Sequence, residues 1–233
     1  TVTFNGTGAQ AINGTAESQT FNDVTLSKTA GTTLSVGGST TSLTVNNLTQ
    51  TTGNFTAPAT LDVNGNVTLT AGTFTAGANL TVAGGWSKAS GATFTPGTGT
   101  VTFDGSGAQT ISGTSASQAF NNVEVAKTAG TLLNTGGSTT NLTVKNFTQT
   151  TGDFTAPTIL TVSNSVLLSA GTFTAGTAIN VAGDWTNNGG TFVPGSGTVT
   201  FNGSGAQAIN GTAASQTFYH LTMNKTAGTL TAP

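Results

Sequence analysis

Leu43-Thr44-Val45-Asn46-Asn47-Leu48-Thr49-Gln50-Thr51-Thr52-Gly53-Asn54-Phe55-Thr56-Ala57-Pro58 decides the fold, because the chain says it again at once. Leu61-Asp62-Val63 runs through Val67 to Phe74-Thr75-Ala76-Gly77, and Leu80-Thr81-Val82 runs through Trp86 to Phe94-Thr95-Pro96-Gly97. Each phrase opens with two apolar residues spaced by one, places a single apolar residue in the middle, and closes on Phe before a turn. Apolar and polar residues alternating along a short segment mark a strand with one buried face. Gly, Asn, Pro and Ser mark the corners between such strands. Helical spacing is absent, and the abundant Thr and Val suit a pleated sheet.

A unit of about 19 residues with two or three short strands cannot bury its own apolar face and must stack on its neighbours. The phrase is nested in a larger repeat of about 99 residues. Thr100-Val101-Thr102-Phe103-Asp104-Gly105-Ser106-Gly107-Ala108-Gln109 restates Thr1-Val2-Thr3-Phe4-Asn5-Gly6-Thr7-Gly8-Ala9-Gln10, and a third copy starts at Thr198. The large copies cover 1–99, 100–197 and, in part, 198–233. The expected fold is all-β: one continuous β-solenoid over 1–233, a right-handed parallel β-helix of about twelve coils, roughly 55–60 Å long at ~4.8 Å per coil. Tandem immunoglobulin-like β-sandwiches are the alternative for a repeat of this size. A sandwich has no reason to carry the same phrase every ~19 residues, and no linker-like stretch separates the large copies.

This register expects Phe55, Phe74 and Phe94 to stack inward in neighbouring coils, over Leu61, Val63, Leu80 and Val82. Gly37–Thr41 and Gly136–Thr140 read as loop insertions that bulge on one side of the rod and can be removed at little cost. A solenoid's terminal coil carries unpaired backbone groups. Thr1, Val2, Thr3, Phe4, Leu230 and Pro233 are therefore the candidate contacts for head-to-tail stacking, either between copies or within a longer chain of which this is a stretch.

Charged residues make up 5% of the chain against about a quarter in ordinary globular domains. The net charge is −2, and arginine and cysteine are both missing. Nucleic-acid binding needs a Lys/Arg stripe, which this composition does not provide. No apolar run approaches the ~20 residues of a membrane-spanning helix. Without disulfides, stability has to come from stacking.

Candidate chemistry can be checked copy against copy. His220, the single histidine, corresponds to Asp23 and Asn122 and reads as a variable outward slot. Asp104 corresponds to Asn5 and Asn202, Glu124 to Thr25 and Thr222, and Asp153 to Asn54, so no carboxylate pair of the kind used in acid–base chemistry recurs. Asp104-Gly105-Ser106-Gly107 reads as a turn, since calcium needs several charged oxygen ligands. No catalytic, cofactor-binding or metal-binding residue is expected. Three features do recur. Lys28, Lys127 and Lys225 all stand in Lys-Thr-Ala-Gly and read as solvated edge charges that discourage lateral pairing. Trp86 and Trp185 read as core filling. Thr-x-Thr rows such as Thr73/Thr75, Thr93/Thr95 and Thr100/Thr102 read as outward ladders. The Asn-x-Ser/Thr triplets fit a glycosylation acceptor and leave modification open.

The phrases Gly99-Thr100-Val101-Thr102-Phe103-Asp104-Gly105-Ser106-Gly107-Ala108-Gln109-Thr110-Ile111 and Leu80-Thr81-Val82-Ala83-Gly84-Gly85-Trp86 resemble repeat units of very long bacterial extracellular proteins. These are adhesins and surface filaments of the haemagglutinin and autotransporter-passenger type. The resemblance implies a β-helical rod, secreted or displayed at the cell surface, and carries no catalytic residue. The expected function is a non-enzymatic structural one, a surface fibre or matrix component whose partner is the chain itself. An adhesin-type module that binds glycan or ice is the alternative.

Overall fold

In the computed structural model, which describes residues 1–232, every regular element is a strand. Thirty short strands wind into a β-solenoid of about eleven turns spaced by about 21 residues. Strands pair in parallel with their equivalents one turn away throughout the chain. At the ordinary ~4.8 Å between paired strands, the rod is about 50 Å long.

Each turn is a triangle of three strands. Val2–Phe4 opens the first face, whose rungs continue through Val24, Leu48, Val67, Trp86 and Ile111. Gln10–Ile12 opens the second face, which passes through Leu34, Phe55, Phe74 and Phe94. That ladder breaks after Ala92–Thr95 and resumes at Ser117–Ala119, so the second face consists of a five-stranded and a six-stranded sheet. The third face starts in Ser18–Ser27 and stacks Leu43, Leu61, Leu80, Val101, Val123 and Phe147. Ser18–Ser27 and Ser42–Thr52 turn the corner from the third face to the first without a break, which joins those two faces into one nineteen-stranded sheet.

Alternation does what the sequence pattern requires. Leu61, Val63, Leu80 and Val82 lie inside, at most 1% exposed, while Asp62 and Thr81 point outward from the same strands. Phe55 and Phe74 are fully buried with ring centroids 5.3 Å apart, and the partly buried Phe94 follows at 5.4 Å from Phe74. Trp86 wedges in from the first face, 4.8 Å from Phe94 and 5.2 Å from Phe120. Farther along the rod Phe154, Phe173, Phe192 and Trp185 of the second copy, with Phe218 of the third, rebuild this stack. Both indoles are completely buried, and each Nε1–H donates to a glutamine Oε1, on Gln118 and Gln216.

The coil differs from the ~19-residue phrase, and corner length is the reason. The Leu-x-Val phrases at 43, 61 and 80 belong to three short coils, whereas corners elsewhere lengthen the turn, to 24 residues from Ser18 to Ser42 and from Asn122 to Asn146 and to 25 from Trp86 to Ile111. The large repeat therefore fills fourteen strand positions, about four and two-thirds turns of a three-sided prism. Consequently Val2–Phe4 lies on the first face, its copy Thr100–Phe103 on the third, and Thr198–Phe201 on the second.

The same shift corrects the reading of the two insertions. Gly37–Thr41 turns the corner between the second and third faces, whereas Gly136–Thr140 turns the one between the first and second. They do not share a side, and they are not free loops. Gly136, Ser138 and Thr140 donate backbone N–H groups to Ile111, Gly113 and Ala116 of the coil below. Thr40 and Thr139 are buried. The five extra residues are absorbed by bonding alternate turn N–H groups to the coil below and one, on Thr40 or Thr139, back within the turn.

Candidate functional site

The feature rebuilt in all three copies is a lysine held in a corner. Gly6-Thr7-Gly8-Ala9-Gln10 curls at the corner between the first and second faces, and Lys28 arrives one coil later. Lys28 Nζ donates to Gly6 O at 3.0 Å, Gly8 O at 2.8 Å and Gln10 Oε1 at 2.8 Å. Lys127 Nζ does the same to Gly105 O, Gly107 O and Gln109 Oε1 at 2.9, 2.8 and 2.6 Å. Lys225 Nζ reaches Gly203 O, Gly205 O and Gln207 Oε1 at 2.9, 2.8 and 2.6 Å. Three N–H bonds meet three oxygens, so each ammonium is fully satisfied without a carboxylate.

The cradle needs its residue types. The glutamine oxygen also accepts the backbone N–H of the first glycine, at 3.0 Å in the first two copies and 2.9 Å in the third. The glutamine Nε2 points down the axis: Gln109 donates to Val82 O and Gly84 O, Gln207 to Val181 O and Gly183 O. In the second and third copies lysine, cradle and glutamine thereby tie three successive coils. A Cβ on Gly105 would stand 2.1 Å from Ala83 O, and one on Gly203 would stand 1.9 Å from Ala182 O, so only glycine lets the backbone come this close.

This overturns the reading of Lys28, Lys127 and Lys225 as solvated edge charges. Lys28 and Lys127 are 2% and 1% exposed, and Lys225 is partly buried. A charged group is taken out of water only where its hydrogen bonds are replaced, and here all three are. The legible signal was a constant spacing: glutamine and lysine are 18 residues apart in every copy. Burial pushes the Lys127 ammonium below its ordinary value, with the Asp104 carboxylate opposing that shift.

The neighbouring corners carry smaller versions of the same device. Asn47 Nδ2 donates to Asp23 Oδ1, Asn47 Oδ1 accepts from Asn66 N–H, and Asn66 Oδ1 accepts from Gly85 N–H. Asn122, Asn146 and Asn164 form the second copy of the ladder. The bond from Asn47 holds the Asp23 carboxyl below the usual carboxylate value. Gln50 and Gln149, both buried, donate to Gly53 and Gly152.

The remaining sequence candidates stay scattered. His220 is exposed on the second face beside Tyr219. Asp104 stands near the Lys127 cradle without contacting Nζ, and burial raises its carboxyl above the ordinary value. Among the described residues no group of three or more His, Asp or Glu side chains gathers as a metal site would require. No helix is long and apolar enough to cross a membrane. A surface groove of ≈ 590 Å³ beside Pro96, Phe120, Asn121 and Lys145 is an open trough. Of the proposed end contacts, Val2 is 39% exposed on a strand paired along one edge only, Phe4 is partly buried, and Leu230 pairs with Gln207. Thr1 and Thr3 are exposed, and Pro233 lies outside the described residues.

No protein-family model matches the sequence, and no curated protein or solved structure matches it.

Proposed function

We propose that this chain is non-enzymatic structural material: a segment of an extracellular rod, serving in a surface fibre or matrix and associating with further coils of its own kind. One observation carries the reading. What the copies keep in common is the machinery that joins coil to coil. The lysine cradle recurs three times with the same three bonds, and the glycine and glutamine that it requires recur with it. Residues on the outward slots change from copy to copy, as Thr25, Glu124 and Thr222 do. A binding or catalytic surface would invert that pattern.

Mechanically, parallel backbone ladders run along the axis on three sides, so tension is shared by every rung. The lysines add cross-ties between coils at the corners.

The test is to pull single molecules by their ends. The wild-type chain should yield at high force in steps of one coil, each releasing about 7 nm of contour. Replacing Lys28, Lys127 and Lys225 with Met together should lower that force. Equal forces for the two chains would refute the role of the lysines as cross-ties under tension. Antibody labelling of intact cells that make the chain tests the extracellular placement, and labelling seen only after permeabilisation would refute it.

A further inference from the structure

A fourteen-strand repeat wound on a three-strand coil cannot return to the face from which it started. We propose that the large repeat is a rotation device: each copy's outer surface faces one third of a turn round from the last, so that gaining or losing a copy re-aims everything beyond it. The displacement is visible in every landmark. The Thr-x-Thr rows of Thr73, Thr75, Thr93 and Thr95 lie on the second face, and their counterparts Thr172, Thr174, Thr191 and Val193 lie on the first. Trp86 packs from the first face and Trp185 from the third. The Lys28, Lys127 and Lys225 cradles occupy all three corners of the prism, one each.

The rule follows from arithmetic on the fold. Fourteen strands, three to a coil, advance the chain by about 22 Å at ~4.8 Å per coil. Fourteen also leaves a remainder of two faces, which is one face backwards. Three copies thus bring a surface feature back to its original face. Because a strand stacks on the one three positions earlier, a whole copy can be added or removed without changing any stacked pair. Everything beyond the change moves by about 22 Å and turns by a third of a revolution. Repeat number then sets both how far and in which direction a distal surface points. A rod whose repeat filled whole coils would display every copy along one side. This inference depends on the winding alone and not on where the rod is used.

The chain has no cysteine, so paired spin labels can be placed at will. Thr20, Thr44, Asp62, Thr81 and Thr102 form one outward column of the third face. Labels on Thr20 and Thr102 should therefore lie about 19 Å apart. In a chain lacking residues 100–197, Thr200 takes the place of Thr102, and the Thr20/Thr200 distance should fall onto that same value. A longer distance there, or failure of this chain to fold, would overturn the proposal, since every stacked pair across the junction is retained. The intact chain gives an independent reading. Thr102 and Thr186 share a column, four rungs apart. Thr102 and Thr200 are repeat equivalents on different faces. The second pair should lie clearly farther apart than its axial separation of about 22 Å, because the offset between faces adds to it at right angles. A value of about 22 Å would place both on one side and refute the rotation.

Discussion

Replacing Lys127 with Met removes the ammonium while keeping most of the stem's volume, and so isolates the staple from packing. Three donors disappear: those to Gly105 O, Gly107 O and Gln109 Oε1. Hydrogen bonds to a charged group contribute about 1.5–3 kcal/mol each, and buried acceptors stripped of a donor keep their desolvation penalty. Against this stands the relief of no longer burying a charge, which removes several kcal/mol of cost. Gln109 Oε1 also retains its bond from Gly105 N–H, so one of the three oxygens is not orphaned. The balance is a net loss of about 3 kcal/mol. Urea denaturation should show a lowered midpoint with an unchanged slope. Hydrogen exchange should rise first at residues 105–109 and in the Lys-Thr-Ala-Gly corner above them. Lys225→Met, at a corner partly open to solvent, should cost about 1 kcal/mol. A Lys127→Met midpoint within about 0.5 kcal/mol of wild type would refute the argument that the cradle holds coils together.

The other predictions concern the same corners and cores. Asp104 has a folded pKa above its ordinary 3.8 because burial disfavours the anion, so the unfolded chain loses the proton first. Its favourable contribution is complete below 3.8 and is lost as pH rises through the folded value, leaving a cost at neutral pH. Asp104→Asn, the residue type at Asn5 and Asn202, should therefore stabilise slightly at pH 7, by tenths of a kcal/mol given the solvent screening, and leave melting unchanged at pH 3. Gly171 has φ +80, and a Cβ there would stand 1.8 Å from Gly152 O, so Gly171→Ala should destabilise by more than about 2 kcal/mol in thermal melts. Deleting Gly136–Thr140 should sharply lower the melting temperature, because it strips backbone partners from Ile111, Gly113 and Ala116; an unchanged melt would return these residues to the status of a free loop. Trp185→Ala should cost about 3–5 kcal/mol by denaturant titration, as the indole is fully buried against Phe173, Phe192 and Phe218.

Alternation along Leu61-Asp62-Val63 or Leu80-Thr81-Val82 is a local property, and it alone set which side chains are buried and that the elements are strands. Repetition of that pattern in units too small to fold alone dictated a stacked solenoid in place of separate domains. Which residues meet across coils is another matter, because it depends on how many residues each corner consumes. Longer corners, at Gly37–Thr41 and Gly136–Thr140 and also between Trp86 and Ile111, stretch the ~19-residue phrase to a spacing of about 21 residues, so the large repeat holds fourteen strands and each copy turns by one face. The lysines show the same limit. A lone Lys beside Thr-Ala-Gly is equally at home in water, and only the winding brings it onto two glycine carbonyls and a glutamine 18 residues earlier. Burial of the apolar faces was written in nearest-neighbour chemistry. Satisfaction of the buried charge, and the direction in which each copy faces, were decided by closure of the coil.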